Sequence, residues 1–445
     1  MGSDSDAPEL IERVLAPFQR FVQTESSSGL VLLACTAVAL VWANSPWAAS
    51  YEHLWETELT LGLGPWSTRA TLHHLINDGL MAVFFFLVGL EIKREMLAGE
   101  LASVQRAALP IAGALGGMIV PALLYAMLNA GTSGEPGWGV PMATDIAFAL
   151  GVLALLGDRV PLGVRVFLAA LAIVDDIGAV LVIAVFYSGG IAWAPLSFAG
   201  VLVLLALGAN FAGVRRPWAY AAIGLVLWTA IISSGIHATI AGVLLAMTIP
   251  ARSRIDESSF VTRARRALSQ FEIAHEPGAS PLNDPEHQAA VHQLEKLAEQ
   301  LQPPLLRLEH GLHGVVAFGI MPLFALANAG VPLGLSQLGG GDGTAVALGV
   351  ALGLLVGKPV GITLLAWAAV RFGLASLPQA VTWRSIGGAG LLGGIGFTMA
   401  LFIAGLAFRG EPGLLVAAKL GILGASLIAG LAGWLVLRGG RPAET

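Results

Sequence analysis

Apolar runs of about 18 residues or more recur from one end of this 445-residue sequence to the other. An α-helix needs about 20 such residues to cross the hydrocarbon core of a bilayer. Hydrophobic residues make up 56% of the chain and charged residues only 12%, whereas soluble proteins carry about 25% charged residues. These features predict an all-α polytopic membrane protein.

The apolar runs predict twelve spans, and the basic residues between them predict the orientation. Apart from two lysines in or near spans, only Arg69 and Arg409 of the 24 lysines and arginines fall on the outer side. Because basic loops stay in the cytoplasm, we expect both termini and the soluble loop 251–307 to be cytoplasmic. The predicted spans are 29–45, 72–92, 108–130, 138–156, 162–187, 195–213, 217–233, 235–250, 310–329, 343–369, 383–408 and 413–436.

Segments outside the spans carry weaker signals. Residues 287–305 show helical periodicity typical of a solvated amphipathic helix. Residues 56–64 alternate Glu or Thr with Leu before Gly64-Pro65, which favours a small outer hairpin, although a plain loop fits nearly as well. Cys35 is the only cysteine, so a disulfide within the chain and a cysteine metal site are excluded. The polar start of the chain lacks the basic region of a signal peptide, so we expect an uncleaved first span.

Two adjacent aspartates, Asp175 and Asp176, lie in the middle of the fifth predicted span. At about 1.5 Å per helical residue, Asp175 is roughly 20 Å from either end of the span and therefore near the bilayer centre. A charged residue there costs about 2.5–3.5 kcal/mol on insertion scales. Such groups are tolerated where they have a function, and ion or proton handling is the first interpretation.

Lys358 and Asp145 are predicted at a similar depth in two other spans. Loss of water favours the neutral forms of such groups, so a carboxylate site that takes up Na⁺ near neutral pH has to release protons. Adjacent helical residues point about 100° apart, so Asp175 and Asp176 cannot face the same partner. One can pair with Lys358 while the other binds the ion with Asp145. The alternative is a buried salt bridge that only orients helices.

Two predicted spans contain residues that interrupt helices. The first is Val140-Pro141-Met142-Ala143-Thr144-Asp145, and the second is the glycine-rich run 387–398. Proline and glycine weaken helices, and unwound backbone at membrane depth persists only where it is buried or lines a cavity. Paired interruptions of this kind indicate the binding site of a transporter. Taken alone, the glycine run also fits close helix packing.

Seven motifs, in order along the chain, resemble those of the NhaA-type bacterial Na⁺/H⁺ antiporters. They are Leu87–Glu95, Ala143–Phe148, Asp175–Ala179, Ser234–Thr239, Ala327–Val331, Gly357–Pro359 and Gly396–Met399. Paired helix interruptions are a known feature of this family, so their presence adds no independent support for the resemblance. The resemblance divides the chain into a cytoplasmic N-terminal segment 1–24, a Na⁺/H⁺ antiporter transmembrane domain 25–437 that includes loop 251–307, and a cytoplasmic tail 438–445.

The resemblance implies twelve transmembrane helices, with inverted repeats around two crossed discontinuous helices, spans 4 and 11. It implies a secondary active transporter in the bacterial inner membrane and not an enzyme. The implied reaction is electrogenic, alkaline-activated exchange of cytoplasmic Na⁺ or Li⁺ for external H⁺, which serves sodium and pH homeostasis. It also implies a homodimer, no cofactor beyond the transported ions, and no nucleic-acid partner.

The resemblance also implies roles for individual residues. Asp176 would be the chief Na⁺ ligand, helped by Asp145 and Thr144, and Asp175 would pair with Lys358. The pair would separate or change protonation during the cycle. Loop 251–307 is longer than in the best-known members, and Gly314-Val315 replaces the Pro-Trp of many, which affects the expected pH profile. The positions linked to the pH response match Glu91, Lys93, Arg94, Glu95, His237, Glu309, His310 and His313.

Three other functions compete with exchange. A Na⁺-coupled symporter would need a pocket for an organic substrate, and the mid-membrane residues include no polar cluster to form one. An intramembrane aspartyl protease would use a Gly-x-Gly-Asp motif, which residues 339–342 match. That motif lies in a predicted outer loop, and Asp175 and Asp176 cannot face each other as a catalytic dyad. In a channel, the charge of Lys358 would repel cations unless it were paired.

Overall fold

The computed structural model describes residues 25–63, 66–273, 285–334, 340–378 and 380–439. The predicted N-terminal segment 1–24 and residues 440–445 of the predicted tail lie outside the described residues. Helices account for most of the described chain. They are α1 (Glu25–Ala43), α2 (Ala48–Glu56), α3 (Leu72–Ala98), α4 (Val104–Asn129), α5 (Ile146–Leu156), α6 (Leu162–Phe186), α7 (Trp193–Phe211), α8 (Pro217–Ser233), α9 (Thr239–Thr248), α10 (Glu257–Ile273), α11 (Pro285–Leu301), α12 (Pro304–Asn328), α13 (Gly341–Arg371), α14 (Trp383–Gly393), α15 (Phe397–Ala407) and α16 (Pro412–Arg438).

Eight helical segments are long and apolar enough to cross a membrane: α3, α4, α6, α7, α12, α13, α16 and Glu135–Leu156, which includes α5. Two more spans are obtained if each bent pair of helices is counted as one span. The bend is 114° between α1 and α2 and 47° between α14 and α15. The helices α8 and α9 are apolar but shorter. These helices agree with a polytopic α-helical membrane protein. The number twelve stays a prediction, because length and hydropathy select only eight to ten spans among the described residues.

Two elements outside the spans match the sequence interpretation. Strand β1 (Glu58–Leu63) pairs antiparallel with β2 (Trp66–Thr71), so the hairpin is present rather than a plain loop. Its turn, residues 64–65, lies outside the described residues. In the 251–307 loop, α11 confirms a helix over most of the predicted residues 287–305, although it ends at Leu301 before Pro303-Pro304. Another helix, α10, precedes it.

The helices α4 and α13 cross at a pair of glycines. A Cβ atom added to Gly116 would lie 2.0 Å from the carbonyl oxygen of Gly361, and one added to Gly361 would lie 2.1 Å from that of Gly116. Small residues at helix interfaces let two backbones approach closely within a membrane. Lys358, one turn before Gly361, is thereby held inside the protein with no exposed surface.

Replacing Gly361 with leucine is expected to destabilise the protein. Overpacking costs about 1–3 kcal/mol and occasionally more, and here the clashing atoms are backbone atoms that cannot rotate away. The melting temperature of the purified protein measures the effect. Gly200→Leu in α7 is the matched control, because nothing lies within 4 Å of an added Cβ there. Equal melting temperatures for the two variants would contradict the close crossing.

Candidate functional site

The two interrupted spans touch each other at their breaks. In the first, residues 143–145 are unwound between the 3₁₀ segment Glu135–Met142 and α5. In the second, residues 394–396 separate α14 from α15. The backbone N–H of Asp145 donates to the carbonyl oxygen of Ile395 at 2.7 Å. The unwound segments therefore satisfy part of each other's hydrogen bonding, as backbone at membrane depth requires.

Both predicted interruptions are present, but the second is shorter than the glycine-rich run that predicted it. The first part of that run stays helical as the end of α14. Its glycines allow close contacts, since a Cβ on Gly388 would lie 2.7 Å from Leu437 and one on Gly390 would lie 3.2 Å from Pro359. Close packing thus explains the first part of the run, and the break explains the second.

Asp145 caps the two half-helices that begin at the breaks. Its Oδ1 accepts from the N–H of Phe148 at 3.0 Å, and its Oδ2 accepts from the N–H of Thr398 at 3.1 Å and from the Thr398 hydroxyl. A carboxylate at this place offsets the partial positive charge of two helix N-termini. The sequence prediction omits Thr398, whose position directly after the second break is the signal for it.

Lys358 forms an ion pair with Asp175 in the protein interior. Its Nζ lies 2.9 Å from Asp175 Oδ2, and the two residues are 0% and 1% exposed. Nζ also donates to the carbonyl oxygen of Met142, at the C-terminal end of the 3₁₀ segment. A cation there offsets the partial negative charge of a helix end. The ammonium group therefore links the first break to α6.

Thr144 contacts the ion pair rather than Asp176. Its hydroxyl oxygen lies 2.7 Å from Asp175 Oδ2 and 3.0 Å from the carbonyl oxygen of Gly393. Since a hydroxyl has one proton, it donates to one of these acceptors at a time. The threonine side chain therefore joins the first break to the second and to α6.

Asp176 is buried and has no hydrogen-bond or ion-pair partner among the described residues. It is 3% exposed. The charged groups that act on it are Asp175, Glu91, Asp145 and Lys358, three of them acidic. An isolated buried carboxylate is strongly unfavourable, so Asp176 is stabilised by binding either a proton or a cation. Those are the two alternative occupants that exchange requires.

The carboxylate arrangement differs from a resident metal site. Within the described part of the chain, no group of three or more His, Cys, Asp or Glu side chains is arranged to hold a metal ion. The sequence predicts only two carboxylate ligands for Na⁺, Asp176 and Asp145, which is below three.

A charged cluster lies toward the C-terminal end of α3. Arg94 pairs with Glu95 at 3.1 Å and with Glu309 of α12. Lys93 donates to the carbonyl oxygen of Met247 at 2.7 Å. Glu309 is 6% exposed, and its Oε2 is buried without a hydrogen-bond partner among the residues described. Three of the residues linked to the pH response, Lys93, Arg94 and Glu309, therefore join α3 to α12 and α9.

Glu91 lies between this cluster and the breaks. It is one turn before Arg94 on α3, and its charge acts on both Glu309 and Asp176. The sequence placed Glu91 only in the pH group and gave no sign of its proximity to the ion site. Glu91 is therefore the electrostatic connection between the charged cluster and Asp176. The other two residues of the pH group on α12, His310 and His313, are exposed.

His237 is in a different place from the other residues linked to pH. Its Nε2 lies 3.3 Å from Asp78 Oδ1, and the second oxygen of Asp78 lies 3.0 Å from His74 Nδ1. These side chains line a cavity of about 400 Å³. Asp78 and Glu91 are separated by roughly 20 Å along α3. His237 thus belongs to a polar cavity at the opposite end of that helix.

The sequence is similar to known Na⁺/H⁺ antiporters over almost its whole length. The sequence model of the family described as Na⁺/H⁺ antiporter 1 matches residues 19–437. The Na⁺/H⁺ antiporter NhaA of Oleidesulfovibrio alaskensis is 53% identical over 434 residues, which cover 97% of this chain and 96% of the relative. The NhaA of Koribacter versatilis is 51% identical over 96% of this chain and 92% of its own length. NhaA 1 of Saccharophagus degradans is 49% identical over 96% of this chain and 92% of its own length.

Proposed function

The chain belongs to the Na⁺/H⁺ antiporter 1 family and exchanges sodium ions for protons across a membrane, and from this premise we propose how its residues perform the exchange. It is a multi-pass transporter and not an enzyme, which removes the aspartyl-protease alternative. The transported ions are its substrates, and it needs no cofactor. Because the two ions are exchanged, the symporter and channel alternatives are also removed.

The buried, unpartnered carboxylate of Asp176 carries the proposal. Cytoplasmic Na⁺ or Li⁺ binds between Asp176 and the Asp145 carboxylate after the proton of Asp176 has left. Thr144 supports the site through the break that it shares with Asp145. On the outer side, protons replace the cation. Because the two occupants compete for the same oxygens, one can be moved only in exchange for the other.

The pair of Asp175 and Lys358 supplies the electrogenic part of the proposal. Asp175 Oδ1 has no hydrogen-bond partner among the described side chains and backbone, so it is free to accept a proton or contact the ion. If the pair separates and takes up a proton during each cycle, more than one H⁺ enters for each Na⁺ expelled. The inward proton gradient and the membrane potential then both drive Na⁺ out.

We propose the bacterial inner membrane as the location, with both termini in the cytoplasm and a role in sodium and pH homeostasis. The support is the concentration of lysine and arginine on one side of the predicted spans, as the positive-inside rule requires. The proposed homodimer is supported by the hairpin of β1 and β2, since exposed strand edges are able to pair with a second copy.

The exchange itself is tested with the purified protein in liposomes that carry an imposed pH gradient. Added Na⁺ or Li⁺ is expected to dissipate the gradient, and an opposing potential set with K⁺ and valinomycin is expected to slow the exchange. A rate that ignores the potential would refute the electrogenic step, and a gradient that persists after Li⁺ addition would refute Li⁺ transport.

Alkaline activation is proposed to depend on the cluster of Glu91, Arg94 and Glu309. Glu309→Gln removes one of the two acidic partners of Arg94 and one of the charges that act on Glu91. We expect the pH of half-maximal exchange to shift by about one unit, an energy of roughly 1.4 kcal/mol, with little change in the maximal rate. Glu299→Gln is the matched control, since Glu299 forms an exposed ion pair with Arg307, and such pairs contribute little. Identical pH profiles for both variants would refute this role.

A further inference from the structure

An apolar groove runs between α1, α5 and α16 beside the two breaks. Its volume is about 820 Å³, within the range of roughly 300–1,000 Å³ found for small-molecule sites. Leu33, Leu155 and Leu427 line it and are 44%, 62% and 63% exposed. The groove is thus open along its length to the surroundings of the spans. At that depth the surroundings are lipid acyl chains rather than water.

The two hydroxyl groups that line the groove already form hydrogen bonds within the protein. The hydroxyl of Thr36 donates to the carbonyl oxygen of Leu32 at 2.7 Å. The hydroxyl oxygen of Ser426 accepts from the N–H of Phe397 at 3.2 Å. An occupant of the groove therefore meets mainly hydrocarbon. This selects an apolar chain over a polar solute.

One end of the groove is cationic. Trp434 lines that end, and the guanidinium carbon of Arg438 lies 4.8 Å from the centre of its ring. Arg384 is close by, because a Cβ on Gly439 would lie 2.5 Å from its Nη2. Neither arginine has an acidic partner within the described ranges, and both are exposed. Basic sites at the cytoplasmic ends of transmembrane helices bind anionic lipid headgroups.

We propose that the groove binds one acyl chain of an anionic phospholipid from the surrounding bilayer, whose phosphate contacts Arg438 and Arg384. The groove extends along α16 from Trp434 to Leu423, roughly 16 Å, so an extended acyl chain fits along it. An apolar chain with one anionic end matches both the walls and the charged end. A helix from a second copy would have to bring an acidic residue to Arg438 to match them equally well.

The groove lies next to the two breaks. Phe148 and Phe397 both line the groove, and their rings pack edge to face with centroids 5.6 Å apart. The N–H of Phe148 donates to Asp145. A bound acyl chain therefore contacts the first turns of the two half-helices that Asp145 caps.

Two variants test the proposal, with lipid binding measured by native mass spectrometry. Gly424→Phe fills the groove, and nothing lies within 4 Å of an added Cβ there, so the fold can accept the ring. The double variant Arg384→Gln, Arg438→Gln removes the charge. Delipidated protein is titrated with phosphatidylglycerol or phosphatidylcholine of the same chain length. Gly208→Phe in α7, where an added Cβ also has nothing within 4 Å, is the matched control.

The wild type and Gly208→Phe are expected to bind one phosphatidylglycerol about 30-fold more tightly than phosphatidylcholine, from two arginine contacts. The double glutamine variant should bind both lipids equally, and Gly424→Phe should bind neither at this site. Unchanged phosphatidylglycerol binding by Gly424→Phe would overturn the proposal. So would a Gly424→Phe variant that becomes monomeric and keeps its lipid, since the groove would then be an interface between copies. Binding is measured without transport, so the result does not depend on the proposed exchange mechanism.

Discussion

Replacing Asp176 with asparagine is expected to reduce Na⁺/H⁺ exchange to the rate of protein-free liposomes. The carboxylate is buried and has no partner in the described residues, so its two available states are protonated and cation-bound. Asparagine keeps an oxygen that can approach Na⁺ but cannot bind or release a proton in this pH range. It therefore removes the competition between the two ions, whereas the shape of the side chain is almost unchanged.

Two measurements check this expectation. In liposomes with an imposed pH gradient, Na⁺ should dissipate the gradient with the wild type and not with Asp176→Asn. In detergent, Na⁺ should release protons from the wild type and not from the variant. Asp342→Asn is the matched control, because Asp342 is exposed and accepts a hydrogen bond from Ser133 at 2.6 Å.

Proton release by Asp176→Asn on Na⁺ addition would place the ion site elsewhere. Exchange that survives in both Asp175→Asn and Asp176→Asn would exclude the acidic pair from transport altogether. A variant that releases no protons on Na⁺ addition and fails to exchange is the outcome that the proposal requires.

The sequence predicted helices well where span ends are marked by polar or helix-breaking residues. The fifth span was predicted at 162–187, and α6 is Leu162–Phe186. The eighth was predicted at 235–250, but α9 begins only at Thr239. Gly235 has a positive φ of 83°, and its carbonyl oxygen accepts from the N–H of Gly189 at 2.9 Å. That turn depends on a contact between distant segments, which helical periodicity does not contain.

The depth of the charged residues could be predicted, but their partners could not. Counting residues placed Asp175 and Lys358 at the bilayer centre, and the 100° rotation between neighbours left open which aspartate faces the lysine. The crossing of Gly116 and Gly361 decides this, because it fixes α13 and the direction of Lys358.

Replacing Lys358 with glutamine is expected to have the largest effect on stability. Lys358 is fully buried with its Nζ 2.9 Å from Asp175 Oδ2. Breaking a buried ion pair by removing one partner costs about 3–5 kcal/mol, because the remaining charge is left without compensation. Glutamine also removes the cation that offsets the helix end at Met142. We expect a clearly lower melting temperature in detergent and fewer charges moved per Na⁺ in liposomes.

The double variant Asp175→Asn, Lys358→Gln separates the structural role from the transport role. Its two neutral amides can hydrogen-bond to each other, and no unpaired charge remains, so most of the melting temperature should return. Asp176 and Asp145 are unchanged, so Na⁺ should still be exchanged for protons. If the ion pair carries the additional proton, the exchange becomes insensitive to a potential set with K⁺ and valinomycin. A double variant that is stable and still sensitive to the potential would assign the additional proton to another group, and Glu91, whose charge acts on Asp176, is the next residue to test.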